Sequence, residues 1–547
     1  MAEDTLHRKL FFYFILITIT ISVLFTASCQ KEPINPNGIL PLPHNISMGK
    51  GGLPISEIAE ITYNDEKLRG QALFLQKELN KDTGKDFPVN YNPILSDRAI
   101  NLYYEDGFEE ECYKLDILEN GVICRASDKA GAFYGIQSLL QSIVVHEELQ
   151  KFPCMRITDK PQYSWRGFML DESRHFFGKE VVKQYLDIMA RLKLNRFHWH
   201  LTDEPGWRIE IKSYPLLTTI GGKGCWSDQE APIAFYTQED IKEIVAYAAE
   251  RNIMVIPEID MPGHATAASR AYPFLSGGGE GKWNGFTFHP AKESTYEFID
   301  KVMDEIVSLF PAPYIHIGGD EVHYGNQSWF TDPVIRKFIK DNNLENEQGL
   351  EHYFVRRVSD IIHEKGKKML GWDEIINTRV SPEKTSIMWW RHDKPEVLTQ
   401  ILDLGFEVIL CPRIPCYFDF VQDDTHKIGR RWGDNYNTLK RVYNFTDSIS
   451  SLIKDHPQQI LGMQANLWTE RVKDKQRLDF MIFPRLPGIA ENAWSAPEQK
   501  SYDYFIERIE GFMKFLDKEG INYFNIFDKT TTPEPWGPEK EDVIAEG

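Results

Sequence analysis

Short apolar runs alternate with amphipathic helical stretches along most of the chain. Between the runs, residues 237–252 begin with a capping pair, Thr237 and Asp240, and residues 294–310 repeat apolar side chains at helical spacing. The runs themselves are short enough to be buried strands, and they span residues 166–175, 194–203, 253–264, 314–321, 367–374, 385–391, 407–412 and 460–470. Eight strands alternating with helices predict an α/β protein with a (β/α)8 barrel. An open doubly wound sheet is the alternative, but no G-x-G-x-x-G turn supports it.

The chain before the barrel has a different pattern. Its strand-like runs are residues 99–104, 112–118 and 121–127, and an amphipathic helical stretch follows at residues 131–144. We therefore predict a small α+β domain over residues 41–157 and the barrel domain over residues 158–530. Residues 531–547 form an acidic tail that we expect to be disordered.

The N-terminal residues predict export. Basic residues at 7–9 precede an apolar run at 10–25, which is typical of a secretory signal peptide. The run is shorter than the about 20 residues of a membrane-spanning helix, so a retained anchor is the weaker interpretation. Small residues lead into Cys29 as at a bacterial lipoprotein cleavage site. We predict a signal peptide over residues 1–28, lipid on Cys29 and a tether over residues 29–40, which would anchor the protein in the cell envelope (periplasm or outer-membrane surface); soluble secretion is the alternative.

The composition of the chain limits the kinds of molecule that it is expected to bind. The chain has 62 Lys and Arg against 81 Asp and Glu, with a net charge of −19, which argues against nucleic acid as a partner. Aromatic residues make up 13% of the chain, including 13 Trp. A large aromatic core would explain them, and so would sugar binding, because flat apolar rings suit the C–H faces of pyranoses. No C-x-x-C pair occurs, so zinc-ribbon and thioredoxin-like interpretations fail.

Two acids stand side by side after the fourth predicted strand, in HIGGDEV. Barrel chemistry lies at the C-terminal strand ends, and Gly318 and Gly319 let the backbone bend there, so Asp320 and Glu321 need not face apart. Two carboxyls suggest glycoside hydrolysis, although sequence neighbours straddle a scissile bond poorly. One acid could instead protonate the leaving oxygen while the other orients a 2-acetamido group whose carbonyl attacks C1. A solvated acidic turn is the alternative for an arbitrary Asp-Glu pair.

Histidines in the second predicted strand raise the question of a metal. His198 and His200 share one strand face, and Asp203 follows. No further ligand follows at a suggestive spacing, so a hydrogen-bonded structural role is the stronger interpretation and we predict no metal site. For His316, at the start of the HIGGDEV motif, we expect packing inside the barrel.

Seven motifs in order resemble one known family. They are RGFMLDESRHF, FHWHLTDEPGWRIEI, VIPEIDMPGH, HIGGDEV, LGWDE, CYFD and ANLWTE. Together they resemble the β-N-acetylhexosaminidases of glycoside hydrolase family 20, and the likeness extends from about residue 40 to 525, including the small N-terminal domain. The resemblance implies a catalytic (β/α)8 barrel that needs no cofactor and no metal.

The resemblance also implies roles for the residues of the reaction. Glu321 matches the general acid/base, and Asp320 matches the acid that orients the acetamido group and stabilises an oxazolinium intermediate. Tyr417 matches the tyrosine that hydrogen-bonds the acetamide carbonyl. Asp203 and His264 match a relay behind the general acid. To act as an acid near neutral pH, Glu321 should have a pKa raised by burial and by its acidic neighbour.

Further matches concern the sugar itself. The residues that would hold the sugar hydroxyls are Arg174, Asp419 and Glu470. The residues that would form aromatic walls are Trp372, Trp390 and Trp468. In MWWR we choose Trp390 over Trp389 because the family places tryptophan directly before arginine.

These matches predict an exo-acting, retaining β-N-acetylhexosaminidase that removes terminal β-linked GlcNAc or GalNAc from oligosaccharides or glycoconjugates. One alternative is a non-catalytic, glycan-binding surface lipoprotein on the same barrel, and another is an enzyme with a protein nucleophile. The sequence leaves open the preferred sugar, the linkage, the natural glycan, tolerance of sulfated sugars and disulfide pairing. It also leaves open the membrane leaflet and the oligomeric state, including a homodimer.

Overall fold

The computed structural model describes residues 38–146, 149–535 and 542–546. The predicted signal peptide, Cys29 and most of the tether lie outside the described residues. Within the described part, no helix combines the length and the hydropathy needed to cross a membrane. The six cysteines of this part are free thiols.

The N-terminal domain is one mixed sheet covered by helices. Its strands are β1 (Asn45–Pro54), β2 (Glu60–Tyr63), β3 (Val89–Tyr91), β4 (Ala99–Tyr104), β5 (Tyr113–Leu118), β6 (Gly121–Ala126), β7 (Val144–His146) and β8 (Leu149–Asp159). They follow the order β1-β8-β5-β6-β4-β2-β3, with β7 beside β8. Its longer helices are α1 (Arg69–Thr83) and α2 (Lys129–Gln141), and α2 packs on β5 and β6. The three strand runs and the helix predicted here are all present.

The second domain is a closed barrel of eight parallel strands. The strands of this part of the chain are β9 (Trp165–Asp171), β10 (Arg196–His200), β11 (Met254–Glu258), β12 (Tyr314–His316), β13 (Lys368–Trp372), β14 (Thr385–Trp389), β15 (Glu407–Leu410), β16 (Ile428–Trp432), β17 (Ile460–Leu467) and β18 (Asp542–Glu546). The barrel closes in the order β10-β11-β12-β13-β14-β15-β17-β9. Each of its strands coincides with one of the eight predicted apolar runs, so the predicted fold class is confirmed.

Strand β16 lies outside the barrel and pairs in parallel with β18. β18 belongs to the acidic tail, for which no element was expected. Its sequence, DVIAE, carries β-branched apolar residues between acids, and the edge of β16 offers the hydrogen-bonding groups that such a strand needs.

Helices surround the barrel. Those of eight or more residues in the described part are α3 (Lys179–Arg191), α4 (Gln238–Ala249), α5 (Glu293–Leu309), α6 (Pro333–Asp341), α7 (Glu347–Glu364), α8 (Pro395–Asp403), α9 (Phe445–Ile453), α10 (Lys475–Ile482), α11 (Arg485–Trp494) and α12 (Tyr502–Lys518). Helix α4 begins with the predicted capping box: the Thr237 hydroxyl accepts from the Asp240 backbone, and the Asp240 carboxylate accepts from the Thr237 backbone. The box satisfies two of the backbone N–H groups that a helix start leaves unpaired.

A buried ion pair joins the two domains. Lys193 Nζ lies 2.9 Å from Asp159 Oδ2, and both side chains are fully buried. The Tyr113 hydroxyl and the Trp494 indole also donate to Asp159, at 2.6 and 3.0 Å. Removing one partner of such a pair typically costs about 3–5 kcal/mol, because the other charge stays buried. The contact therefore fixes the small domain against the barrel.

Candidate active site

The two adjacent acids lie in a loop beyond β12, where the backbone is left-handed. Gly318, Gly319 and Glu321 have φ values of 69°, 90° and 52°. A Cβ on Gly318 would come within 1.7 Å of Asp260 Oδ1, so no side chain fits there. This backbone turns Asp320 and Glu321 into one pocket. A non-glycine residue in this conformation costs about 1–2 kcal/mol, and strain of this kind concentrates at functional sites.

His264 lies between these acids and a third carboxylate. Its Nδ1 is 2.9 Å from Asp203 Oδ1, while its Nε2 is 3.6 Å from Glu321 Oε2 and 3.7 Å from Asp320 Oδ2. The histidine is buried and itself has a left-handed backbone, with φ of 53°. The predicted relay residues Asp203 and His264 therefore stand in line behind Glu321, where they can affect its charge.

A cluster of buried polar side chains contacts Asp203 through His200. His200 joins Asp203 to Glu258, at 2.8 and 2.6 Å. Glu258 also lies 3.0 Å from both His198 and His316 and accepts from the Trp372 indole at 3.1 Å. Sequence reasoning missed Glu258, although its place at the end of β11 was a usable signal.

The same cluster has the composition of a metal site. His198, Glu258 and His316 place potential ligand atoms within 4.8 Å of one another. The Glu258 oxygens, however, already contact histidine and indole nitrogens on all sides. These contacts suit the hydrogen-bonded role expected for His198 and His200, and the expectation of no metal stays a prediction.

The pKa values of the adjacent acids move in opposite directions. Burial is the main cause that raises the pKa of Asp320 to about 7, and Glu321 adds to it. Burial also acts to raise the pKa of Glu321, but the close His264 ring and its charge outweigh burial, so this pKa is lowered. The expectation of a raised pKa for Glu321 is therefore wrong for the free protein.

The cause of that error is the charge of His264. Burial opposes the protonated imidazole, but Asp203 and Asp260 outweigh burial and raise the pKa of His264 well above its usual value. A cation consequently sits beside Glu321, and an opposite charge within about 4–6 Å favours the ionised carboxylate.

Other residues of the pocket form ion pairs. Arg430 on β16 places Nη2 2.9 Å from Glu470 Oε1 and Nε 3.3 Å from Asp419 Oδ2. Arg174 binds Asp203 Oδ2 at 2.7 Å and stacks over the Trp468 ring at 5.0 Å. Arg430 was not predicted, because GRRW is not at the end of a barrel strand and only the tertiary fold brings it here.

Aromatic side chains form the remaining wall. The rings of Trp390 and Tyr417 are stacked with centroids 6.2 Å apart, and Trp468 lies 6.0 Å from Tyr417. Trp390 lines the pocket, whereas Trp389 is buried in the core, so the structure places the chosen indole in the wall. Trp372 is 1% exposed, behind Trp468 at 5.9 Å, and its contact with a ligand stays a prediction.

The structure thus gathers most of the predicted residues in one pocket. Those that line it are Arg174, His264, Asp320, Glu321, Trp390, Tyr417, Asp419, Trp468 and Glu470. Asp203 and Trp372 lie behind this lining, and Cys29 lies outside the described residues. Arg413, Phe420 and Arg430 complete the lining.

Several buried polar atoms of the pocket have no hydrogen-bond partner among the described residues. Within the described part of the chain, Asp320 Oδ1, Arg174 Nε and Glu470 Oε2 are buried without a hydrogen-bond partner. Leaving such atoms unmatched costs about 1–3 kcal/mol each, more for charged groups. A ligand with several hydroxyl or amide groups would form hydrogen bonds with these atoms. An apolar face on the same ligand would pack against the aromatic wall.

Two family models match the chain. The model described as "Glycosyl hydrolase family 20, catalytic domain" matches residues 163–497, and the one described as "Glycosyl hydrolase family 20, domain 2" matches residues 37–160. A beta-hexosaminidase of Porphyromonas gingivalis is 35% identical over 89% of this chain and 64% of its own length. A beta-hexosaminidase of Vibrio furnissii is 32% identical over 83% of this chain and 76% of its own. The chain therefore spans less than two thirds of the Porphyromonas relative.

Two solved structures are similar to most of the chain. An exo beta-N-acetylglucosaminidase of Vibrio harveyi in complex with N-acetylglucosamine has a TM-score of 0.81 and 32% identity, covering 90% of this chain and 79% of that chain. A beta-N-acetylhexosaminidase of Bacteroides fragilis has a TM-score of 0.78 and 32% identity, covering 89% of this chain and 96% of that chain. The likeness includes both domains.

Proposed function

The chain belongs to glycosyl hydrolase family 20, and from that premise we propose that it is an exo-acting, retaining β-N-acetylhexosaminidase. Its substrates would be glycans that end in β-linked GlcNAc or GalNAc. The observation that carries the proposal is the left-handed loop that turns Asp320 and Glu321 into one pocket beside Tyr417. Exo action is supported by the likeness to the Vibrio harveyi enzyme, which is described as exo-acting.

The sugar would be held by the charged side of the pocket. Arg174, Asp419 and Glu470 would bind its hydroxyls, and an arginine can fork onto two of them. The acetamido group would enter the wall of Trp390, Tyr417 and Trp468, where indole faces cover its methyl group and exclude water. The Tyr417 hydroxyl would then donate to the acetamide carbonyl.

The acetamide oxygen would attack C1 while Glu321 protonates the leaving oxygen. This closes an oxazolinium ring and breaks the glycosidic bond, with Asp320 accepting from the amide N–H and balancing the positive charge. Glu321 would then deprotonate the water that opens the ring, which restores the β configuration. A protein nucleophile is disfavoured because the other lining carboxylates, Asp419 and Glu470, contact Arg430.

The proton must move for this step to occur. In the free protein, the raised pKa of Asp320 and the lowered pKa of Glu321 keep the shared proton on Asp320. An amide N–H that donates to Asp320 favours its ionised form. Substrate binding would thereby transfer the proton to Glu321, where the leaving oxygen needs it.

Three measurements test the proposal. The protein should release the terminal sugar from 4-nitrophenyl N-acetyl-β-D-glucosaminide, and proton NMR taken early in the reaction should show the β anomer first. An N-acetylglucosamine thiazoline should inhibit far more tightly than N-acetylglucosamine, because it copies the cyclised acetamide. An α product or a weak thiazoline would contradict the mechanism. Sugar binding without hydrolysis would instead support a glycan-binding lipoprotein.

We further propose export and lipidation, which follow from the N-terminal sequence alone. The wild-type protein should partition into detergent and incorporate labelled fatty acid in a bacterial host. The Cys29→Ala variant should lose the label. Labelling that persists in this variant would contradict Cys29 as the attachment point.

A further inference from the structure

We propose that Glu374 is a positioning residue that holds the Trp390 ring in the aromatic wall and so limits the size of the N-acyl group that the pocket accepts. The Trp390 indole N–H donates to Glu374 Oε2 at 2.9 Å. Trp390 lines the pocket, and Glu374 is not among the described residues of this lining, so Glu374 would act through the tryptophan. The proposal rests on the proposed function, because it concerns the wall assigned there to the acetamido group.

The position of Trp390 in the chain makes its ring dependent on side-chain contacts. Strand β14 ends at Trp389, and Trp390 is the next residue. The Trp390 backbone N–H donates to Asp373 Oδ2 at 3.2 Å, and its carbonyl accepts from the Arg413 N–H at 2.7 Å. These contacts fix the backbone, but they leave the two side-chain torsions of the tryptophan free to change unless the ring has contacts of its own.

Two neighbours contact the faces of the ring. The Arg413 guanidinium lies over the Trp390 ring, 4.8 Å from its centroid, and the Tyr417 ring is stacked with it at 6.2 Å. Contacts of this kind allow a ring to slide in its own plane, whereas a hydrogen bond from the indole N–H is directional. Glu374 therefore fixes the orientation of the ring in its plane, and with it the edge that faces the pocket.

Glu374 is itself fixed against the loop of the two acids. It belongs to a 3-10 helical segment, Asp373–Thr378, which follows β13. The Ile375 side chain of this segment packs closely on Gly319, where an added Cβ would come within 2.5 Å of Ile375 Cγ2. One short segment thus connects the aromatic wall to the loop that carries the acids. Because both ends of this connection are packed, the ring has a defined position before a ligand binds, which lowers the entropy cost of binding.

The surroundings of Glu374 favour a neutral hydrogen-bond acceptor. Burial raises the pKa of Glu374 well above its usual value, and the charge of Asp373 adds to this effect. Arg391 acts in the opposite direction, but its Nε lies 3.9 Å from Glu374 Oε2 and only 2.5 Å from Asp373 Oδ1. A neutral carboxyl group still accepts through its carbonyl oxygen. Glutamine has the same oxygen and nearly the same shape, so Glu374→Gln should keep the contact, and Glu374→Leu should lose it.

The first test measures the preference for a short acyl group. It uses two 4-nitrophenyl β-D-glucosaminides, one N-acetylated and one N-butanoylated, and the wild-type protein should prefer the former because the wall limits the space for the acyl chain. In Glu374→Leu, a mobile Trp390 ring should lower kcat/KM for the N-acetyl substrate by about tenfold, the equivalent of one hydrogen bond, mainly through kcat. The N-butanoyl substrate should lose less than about twofold, so the preference should fall by at least about fivefold.

Matched variants separate this role from a loss of stability. Glu374→Gln should keep the wild-type preference. Trp390→Phe removes the hydrogen-bond donor and should reduce the preference as Glu374→Leu does, and the double variant should show little further change, because the two residues act through one contact. Glu374→Met, which also lacks a strong acceptor, replaces Glu374→Leu if circular dichroism shows that the leucine variant is unfolded. An unchanged preference in the folded variant, or full additivity in the double variant, would overturn the proposal.

A second test does not depend on turnover. The indole N–H of Trp390 gives one proton–nitrogen NMR signal, which is assigned by its loss in Trp390→Phe. Its exchange with deuterated water should be about tenfold faster in Glu374→Leu and unchanged in Glu374→Gln, because the hydrogen bond protects this proton. If the wild-type protein hydrolyses the N-acetyl substrate but this exchange is unchanged in Glu374→Leu, only the present proposal fails. A wild-type protein that hydrolyses neither substrate would overturn the proposed function, and the NMR signal would still show whether Glu374 holds the ring.

Discussion

The two sides of the pocket differ in how their buried charged groups are paired. On the acid side (Asp203, His264, Asp320 and Glu321), one histidine lies against several carboxylates, and burial raises the pKa of Asp320 to about 7. On the hydroxyl side (Asp419, Arg430 and Glu470), the Arg430 guanidinium lies against both carboxylates, while Arg174 lies between this side and Asp203 on the acid side. Burial acts to raise the pKa of Glu470, but Arg430 and Arg174 outweigh it and lower this pKa.

The difference separates chemistry from binding. An excess of carboxylates over cations leaves one proton that a ligand can move between Asp320 and Glu321. On the other side, nearby guanidinium groups lower the pKa of Glu470 and so keep it ionised, as a fixed hydrogen-bond acceptor for hydroxyl groups. Substitutions on the acid side should therefore act on the rate of the chemical step, and those on the hydroxyl side should act mainly on binding.

The largest effect should come from Glu321→Gln, which keeps the shape of the side chain and removes the group that delivers the proton to the leaving oxygen. We expect kcat/KM for a GlcNAc disaccharide to fall by about 10³-fold, since positioned acid–base groups contribute about 10²–10⁴-fold. Aryl glycosides with good leaving groups should lose less, because they need less protonation. Initial rates on both substrates measure this, with the exposed Glu383→Gln as control. If this variant cleaves the disaccharide at the wild-type rate, Glu321 is not the general acid.

Asp320→Asn should rank second. The amide can still contact the acetamido group, but it cannot balance the charge of the oxazolinium ring. Loss of one such electrostatic contact costs about 10²–10³-fold in kcat. The thiazoline inhibitor should weaken by a similar factor, and its inhibition constant provides the measurement. If kcat falls while thiazoline affinity is unchanged, Asp320 acts on something other than the cyclised group.

Arg430→Gln should have a smaller effect, of a different kind. It removes charged contacts to Glu470 and Asp419. We expect a net loss of about 10–100-fold in kcat/KM, equivalent to about 1.5–3 kcal/mol or one charged hydrogen bond. The loss should appear mainly in KM, with partial rescue by Arg430→Lys. Arg431→Gln is the matched control, because Arg431 contacts the Gly433 carbonyl instead. A fall in kcat with KM unchanged would show that Arg430 acts on the chemical step. That result would contradict the division between the two sides of the pocket.

The pH dependence should show the smallest change, about tenfold per pH unit. The reaction needs one proton on the Asp320–Glu321 pair, and the raised pKa of Asp320 is about 7. As pH rises through about 7 this proton is lost, so kcat/KM should decline on the alkaline side. In Asp320→Asn the remaining acid, Glu321, has a lowered pKa, so the decline should begin at lower pH. An unchanged profile in this variant would assign the alkaline limb to another group.

Much of the site could be predicted because its residues follow strand ends. Asp203 follows β10, His264 follows β11, Asp320 and Glu321 follow β12, and Glu470 follows β17. A parallel barrel brings all strand ends to one face, so the order of motifs along the chain already places these residues together.

Arg430 could not be found in this way. It lies on β16, outside the barrel, and only the tertiary fold brings it to the lining of the pocket. Its own neighbours in sequence carry no sign of a site.

The sequence by itself determined the eight strands, the glycine-dependent bend before the acids and the residue types of the pocket, because hydrophobic periodicity and backbone sterics act locally. Only the tertiary structure decided where the proton of the acid pair resides. That choice depends on Asp203 and Asp260, which keep His264 charged 3.6 Å from Glu321. Electrostatic energy depends on the distance between charged groups and on their burial, and the order of residues along the sequence gives neither directly.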